Sequence, residues 1–262
     1  MAPGAADVWS PAQYERFRAE REQPFWDLLR LLDVAPNGRV VDLGCGTGML
    51  TRELHRAVRA RETVGVDSSD SMLARAAEID EDGLQFVKGD IGRWSPDGAC
   101  DVVFSNAALQ WLDDHPRLFK RLRGFLAPNG VLAVQVPSNY DHESHTVAAE
   151  VALEEPFASA TGGYTRESTV LQPEAYAELL YALGLRDLHV RLQVYCHELS
   201  STPDVVEWVR GTLLTDYQPR MPEAMFDEYV TRYRQRLLDT LGDQRPYLFA
   251  FKRILMRARA AP

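Results

Sequence analysis

The chain is poor in cysteine, has no run of basic residues, and contains no apolar stretch of the roughly 18 residues that a membrane-spanning helix needs. Cys45, Cys100 and Cys196 are odd in number and far apart, which argues against a disulfide framework and against a zinc site. No metal is expected. Residues 1 to 8 lack the basic start and apolar run of a secretory signal, so the expected location is the reducing cytoplasm. Acidic residues outnumber basic ones 38 to 29, a formal charge of −9, and nucleic acid is therefore not the expected partner. Internal repeats and low-complexity segments are also missing.

What the chain does have is core material. With 45% hydrophobic residues over 262 positions it can fill one large or two small domains. Ser10-Pro11-Ala12-Gln13 predicts a helix start running to about Glu22, and a second helix is expected from Pro24, with Phe25, Leu28, Leu29 and Leu32 at helical spacing. From Arg39 the period changes. Short apolar runs at 39–43, 63–67, 84–88, 101–105 and 131–136 alternate with helical stretches at 47–60, 69–79 and 115–126, which predicts parallel βαβ units. Ala127-Pro128-Asn129-Gly130 reads as a turn feeding the fifth strand.

Beyond Pro137 the alternation stops, and 138–172 reads as an insertion. Gln172 to Gly184 then predicts a helix, Leu185 to Leu199 a strand and Tyr247 to Arg257 a last strand. Helical periodicity lies between, over Pro203 to Leu214 and Pro222 to Leu241. The expected fold is α/β, a doubly wound, Rossmann-like sheet of seven mostly parallel strands with a helical cap inserted in the C-terminal half. Its expected divisions are a lid at 1–36, a cofactor-binding core at 37–137, a cap insertion at 138–172, a core helix and strand at 173–199, a second helical insertion at 200–245 and a final strand and tail at 246–262.

One segment narrows the chemistry. Val40-Val41-Asp42-Leu43-Gly44-Cys45-Gly46-Thr47-Gly48 closes a strand with an acid and then places glycine at three alternate positions, where backbone N–H groups can approach a ligand that a Cβ would block. A dinucleotide fingerprint would put its third glycine at 49, where Met49 stands, and a P-loop would need a following lysine, which is missing. Asp67 ends the second strand 19 residues after Gly48, with Ser68 and Met72 beside it, and can accept from both ribose hydroxyls while repelling a ribose phosphate. Asp90 ends the third strand, where it can accept from an adenine amine while Ile91 offers an apolar face. Three acids, Asp42, Asp67 and Asp90, are thus expected to face one crevice.

These residues resemble the class I S-adenosylmethionine-dependent methyltransferases. That resemblance implies S-adenosylmethionine as cofactor and S-adenosylhomocysteine as product. It also implies that Asp42 acts on the cofactor's ammonium, that the Gly44–Gly46 loop and the backbone of Asn106 hold its methionine portion, and that Arg21 pairs with its carboxylate. Asn106-Ala107-Ala108-Leu109-Gln110-Trp111 is similar to the stretch found in methyltransferases that esterify small carboxylic acids such as trans-aconitate, and more distantly in those acting on carrier-bound acids. Trp9-Ser10-Pro11 with Tyr14, Gln135-Val136-Pro137-Ser138-Asn139 followed by His145, Tyr195 to Leu199, Glu207-Trp208-Val209 and Phe251-Lys252-Arg253 extend the likeness over nearly the whole chain. It implies Gln110 and Trp111 at the floor of the acceptor site, with His145, Arg253 and Tyr14 as further acceptor contacts.

Two departures bear on the acceptor. Gln23 and Thr215 stand where the resemblance implies bases, and Asp216 follows the second. Fewer positive charges suit a tricarboxylate less well, since charge-assisted pairs are the strong contacts to carboxylate. The expected reaction is in-line transfer of a methyl group to a carboxylate of a small organic acid, which is already ionised at neutral pH and needs no general base. A hydroxyl, an amine or a carrier-bound acid is the alternative acceptor; for the first two a role would fall to Tyr140, His142 or His145. More remote are a nicotinamide oxidoreductase and a cofactor-binding protein without activity. A monomer or homodimer is expected.

Overall fold

The computed structural model describes residues 18–262, with side chains from residue 22 onward. The expected helix start at Ser10, Tyr14 and the side chain of Arg21 lie outside the described residues. Helix α1 spans Arg18–Leu29 and contains Pro24, so the expected break between two helices is missing. Proline removes one helical donor and crowds the preceding turn. Packing outweighs that local cost: Phe25 and Leu28 are fully buried, and the Phe25 ring meets Phe104 edge-on at 5.5 Å. Each such side chain contributes about 1.5–3 kcal/mol on burial.

The seven strands are β1 Arg39–Leu43, β2 Glu62–Asp67, β3 Leu84–Lys88, β4 Cys100–Asn106, β5 Leu126–Pro137, β6 Arg186–Leu199 and β7 Tyr247–Arg259, in the order β3-β2-β1-β4-β5-β7-β6. Strands β1 to β5 pair in parallel, and β7 runs antiparallel to β5. The order reverses beside β1, where an open α/β sheet places its ligand crevice. Helices α2 Met49–Ala57, α3 Asp70–Ala76, α4 His115–Arg123 and α7 Pro173–Ala182 connect the strands, each a little shorter than expected. The expected turn at 127–130 is instead an irregularity within β5: Cys100 pairs with Leu126 but Val102 with Val131. Gly130 permits it, because a Cβ there would lie 2.8 Å from the Cys100 carbonyl oxygen.

The chain divides into two compact units. One holds 19–138, 169–193 and 252–262, and the other holds 139–168 and 194–251. In the first, alternate residues of the central strands serve different faces. Val103, Leu132, Val134, Val136, Ile254 and Met256 share a core with Leu118, Phe119 and Leu122 of α4 and with Tyr176 and Leu180 of α7. Phe104 points the other way, toward α1.

The second unit is helical and aromatic. Its helices are α5 Glu143–Ala152, α6 Phe157–Thr161, α8 Pro203–Arg210 and α9 Glu223–Leu241. The expected helix to Leu214 ends at Arg210, and a short 3₁₀ turn follows over Leu213–Asp216. Tyr229 and Tyr233 of α9 are fully buried and donate to the carbonyls of Ala148 and Ser144, at 2.8 and 3.0 Å, which fixes α9 against α5. Burial pushes both phenols well above their ordinary range, so they stay neutral. Among the described residues no helix is long and apolar enough to cross a membrane.

Candidate active site

The site begins where β1 runs out. After Leu43 the chain crosses the end of β2, with Gly44 and Cys45 N–H both donating to the Val66 carbonyl, at 2.8 and 3.1 Å. It then enters α2 from Gly48. Gly44 has φ +85°, and a Cβ there would sit 2.2 Å from the Ala108 Cβ; Gly48 has φ +75°, and a Cβ there would strike the Phe86 ring at 2.5 Å. Both are fixed by close packing as well as by backbone shape. Gly46 differs, because a Cβ there would meet nothing within 4 Å. Its bare backbone borders open space, as a cradle for a ligand requires.

Asp67 completes the turn. Its Oδ2 accepts from Gly46 N–H at 2.8 Å, and its Oδ1 accepts from Ser69 N–H at 2.9 Å. Ser69 in turn caps α3 by accepting from Met72 N–H at 3.2 Å. The end of β2 therefore orders both the glycine turn and the next helix. Ser68 is exposed beside it, whereas Met72 is buried in α3.

The three strand-end acids differ in burial. Asp42 is only 4% exposed, and Thr51 of α2 donates to its Oδ2 at 2.6 Å. Burial raises its pKa from 3.8 to about 7, against the lowering effect of the Thr51 bond and with a small addition from the Asp67 charge. The sequence reading missed Thr51, whose hydroxyl reaches Asp42 only once α2 has folded back onto β1. Asp90 is exposed, and its Oδ1 accepts from Gly92 N–H at 2.8 Å, while Ile91 packs partly into the core. Asp67 is partly buried, between these extremes.

Strand β4 closes the other side. Ser105 donates to the Leu43 carbonyl at 2.7 Å, which ties the end of β4 to the start of the glycine turn. Ala107 has φ +55° and its N–H donates to the Gln135 carbonyl at 2.9 Å. Leu109–Trp111 then forms a 3₁₀ turn, and the Gln110 amide donates to the Ala107 carbonyl at 2.7 Å. Gln110 is buried and braces its own turn, and Trp111 stays partly exposed. Asn106 pairs in register with Gln135, and its side-chain oxygen is buried without a hydrogen-bond partner. Arg253 of β7 is 5% exposed and donates to Gln135 Oε1 at 3.4 Å.

His145 belongs to the helical unit. Its Nδ1 lies 3.1 Å from Ser144 Oγ, which lies 3.0 Å from His142 Nδ1, and the Tyr140 ring stands edge-on at 5.3 Å. Burial first, then the charges of His142 and Arg166, push its pKa down to about 3. The imidazole is therefore neutral at pH 7, so as an acceptor contact it offers a neutral hydrogen bond rather than an ion pair. Thr215 donates to the Thr212 carbonyl within its own turn. Asp216 accepts from Tyr164 at 2.6 Å and pairs with Arg220 at 3.6 Å, so its charge is matched locally. Arg166, which the sequence reading passed over, donates its N–H to Tyr217 at 3.2 Å and stands electrostatically close to His145.

A cavity of about 240 Å³ lies elsewhere, lined by Arg39, Val64, Gln85, Trp94 and Cys100 among others, and includes neither the glycine turn nor Asp67. The strand-end constellation is thus identified by chemistry, not by cavity size. No cluster of potential metal ligands occurs among the described residues.

A family model described as a methyltransferase domain matches residues 14–190. Trans-aconitate 2-methyltransferase of Deinococcus radiodurans is 43% identical over 257 residues, covering 96% of this chain and 98% of that one. The protein of the same name from Variovorax paradoxus is 39% identical over 231 residues, covering 87% and 88%. Among solved structures, an S-adenosylmethionine-dependent methyltransferase from Mesorhizobium loti aligns with a TM-score of 0.52 at 21% identity, over 91% of this chain and 97% of that one, a likeness of fold.

Proposed function

The chain belongs to the methyltransferase-domain family, and from that premise we propose that it transfers a methyl group from S-adenosylmethionine to a carboxylate of a small organic acid, trans-aconitate in the first instance. The observation that supports the donor half is the bond between Asp67 and Gly46, which joins a strand-end carboxylate to a bare backbone turn, the arrangement that a ribose and its neighbouring groups would need. The acceptor half rests on full-length identity to proteins that bear the trans-aconitate name.

The residues present fit the cofactor. Gly46 borders open space, Asp67 is reachable at the end of β2, and the side-chain oxygen of Asn106 is a buried acceptor with no donor among the described residues. On this reading Asp67 takes the ribose hydroxyls, with Ser68 beside it, and Asp90 and Ile91 take the adenine. Asp42, through its place behind Gly44 and Gly46, and the Asn106 backbone serve the methionine end, and Arg21 is the assigned partner of the carboxylate. When bound, S-adenosylmethionine supplies an electrophilic methyl group on a sulfonium.

The protein's part is then orientation and exclusion of water. A carboxylate acceptor arrives ionised, so no side chain has to remove a proton. Holding the reacting atoms at about 3–3.5 Å supplies roughly 7–11 kcal/mol of barrier reduction. Arg253 is assigned to the acceptor's charge, with Gln110 and Trp111 shaping the floor. The neutral state of His145 agrees with a mechanism without a base. A cytoplasmic monomer or homodimer completes the reading.

Two measurements test it. Calorimetry should detect S-adenosylhomocysteine binding that Asp67→Ala weakens severely, and a screen of di- and tricarboxylic acids should find a methyl ester by mass spectrometry. Absence of S-adenosylhomocysteine binding by the intact protein refutes the donor assignment. Methylation of an amine or phenol, with every acid untouched, refutes the acceptor.

A further inference from the structure

Gln135 is fully buried at the end of β5, and its side chain is only half used. Arg253 donates to its Oε1 at 3.4 Å, while its Nε2 is buried with no hydrogen-bond partner among the described residues. The two ends of a carboxamide are hard to tell apart by shape alone, and the neighbouring guanidinium settles which is which. Arginine can only donate, so the oxygen must face Arg253 and the NH₂ must face away from it. A buried amide donor without an acceptor is rare in a folded protein and calls for an explanation.

The strand pairing says where that donor sits. Gln135 is in register with Asn106 on β4, and its carbonyl accepts from Ala107 N–H at 2.9 Å. Two residues on, Ala108 packs against Gly44, and Ser105 is bonded to Leu43 at 2.7 Å. The carboxamide therefore belongs to the same ridge of strand ends as the glycine turn. It also lies on the Phe104 side of the sheet, opposite the apolar core that Val134 and Val136 serve.

We propose that Gln135 reads the methyl acceptor: its Nε2 donates to a carboxylate of the acid that Arg253 attracts, and its Oε1 holds the guanidinium in place for that same carboxylate. Guanidinium and carboxamide N–H groups can both only donate, and each suits an oxygen of a carboxylate. The proposal rests on the reading of the acceptor as an acid. It makes Gln135 a specificity residue for the acceptor and gives it no part in holding the donor.

Gln135→Leu removes the amide at nearly constant volume. With S-adenosylmethionine saturating, it should raise KM for the acid about 10- to 100-fold, the range for loss of a hydrogen bond to a charged group, while leaving S-adenosylhomocysteine affinity within about threefold. Gln135→Glu should raise KM further at pH 8, because the new carboxylate both pairs with Arg253 and repels the acid. A folded leucine variant with unchanged KM overturns the proposal, as does one whose only defect is S-adenosylhomocysteine binding. If both variants fail to fold, the intact protein decides. In protein labelled with ¹⁵N-glutamine and saturated with S-adenosylhomocysteine, propane-1,2,3-tricarboxylate should shift the Gln135 side-chain amide signal, and an unmoved signal overturns the proposal. Failure of the acid reading would show itself separately, as an intact enzyme that methylates no acid.

Discussion

The Asp67 carboxylate and the Gly46 N–H are joined across 2.8 Å, so the acid at the end of β2 also fixes the turn that leaves β1. Because its other oxygen accepts from Ser69 N–H at 2.9 Å, one side chain positions both a loop and a helix start. Asp67→Ala should weaken S-adenosylhomocysteine binding by about 2–4 kcal/mol, or roughly 30- to 1,000-fold, as expected when hydrogen bonds to a charged group are lost. Asp67→Asn should fall between the two, since it keeps an oxygen for one backbone donor. Titration calorimetry with a thermal melt as control is the measurement, and equal affinity for Asp67→Ala and the parent would remove Asp67 from the binding site.

A second relationship, between Gly44 and Ala108, is a matter of space. A Cβ at Gly44 would lie 2.2 Å from the Ala108 Cβ, and the backbone there has φ +85°. Gly44→Ala should therefore destabilise the protein by about 2–4 kcal/mol, partly by overpacking and partly by backbone strain. Pairing it with Ala108→Gly should recover the packing share alone, about 1–3 kcal/mol. Denaturant melts of the two single variants and the double variant measure the coupling. If the double variant loses as much as the two singles added together, the contact is not the cause.

How far the sequence showed the fold depended on how local each cause was. The parallel strands and their order of appearance were visible because a fully buried strand writes its burial as a continuous apolar run, as in Val102-Val103-Phe104. Pro24 misled because its cost is local, whereas the burial of Phe25 and Leu28 that outweighs it is set by a sheet more than 70 residues further on at Phe104. The glycine turn and the strand-end acids were legible as a local pattern because glycine register and strand-end acids follow one another within short spans. The bonds of Thr51 to Asp42 and of Arg253 to Gln135 were not legible, since each depends on what another strand or helix brings against the residue.

If Asp42 serves the cofactor's ammonium, as proposed, ligand binding should depend on pH. Burial holds its carboxyl at about 7 in the ligand-free protein, so near neutrality it is partly protonated. A folded-state pKa raised above 3.8 means that ionising Asp42 opposes folding, and this cost grows as pH rises from about 4 to 7. A cofactor ammonium nearby favours the ionised form and so should drive a proton off. S-adenosylhomocysteine affinity should accordingly strengthen as pH rises from 6 to 7, then weaken above about 8 as the ligand's own amine loses its charge. Asp42→Asn should keep the alkaline limb and lose the acid one. Calorimetry in two buffers of different ionisation enthalpy would reveal the released proton at pH 6.5, and buffer-independent heats would count against the link.

His145 should make the protein sensitive to acid by the opposite sign. Its folded-state pKa is depressed from 6.5 to about 3, so its contribution to stability is complete above pH 6.5 and is lost as pH falls toward 3. His142 and Arg166 disfavour the charged ring and Asp141 favours it, after burial as the leading cause. At 1.36 kcal/mol per unit, the loss attributable to this ring is about 2 kcal/mol by pH 5. His145→Asn cannot take up the proton, so its stability should fall less steeply than that of the parent between pH 6.5 and 5. Urea melts at three pH values give the difference in slope directly. Parallel slopes would mean that His145 takes up its proton in the folded protein, and would return a cationic contact to the acceptor site.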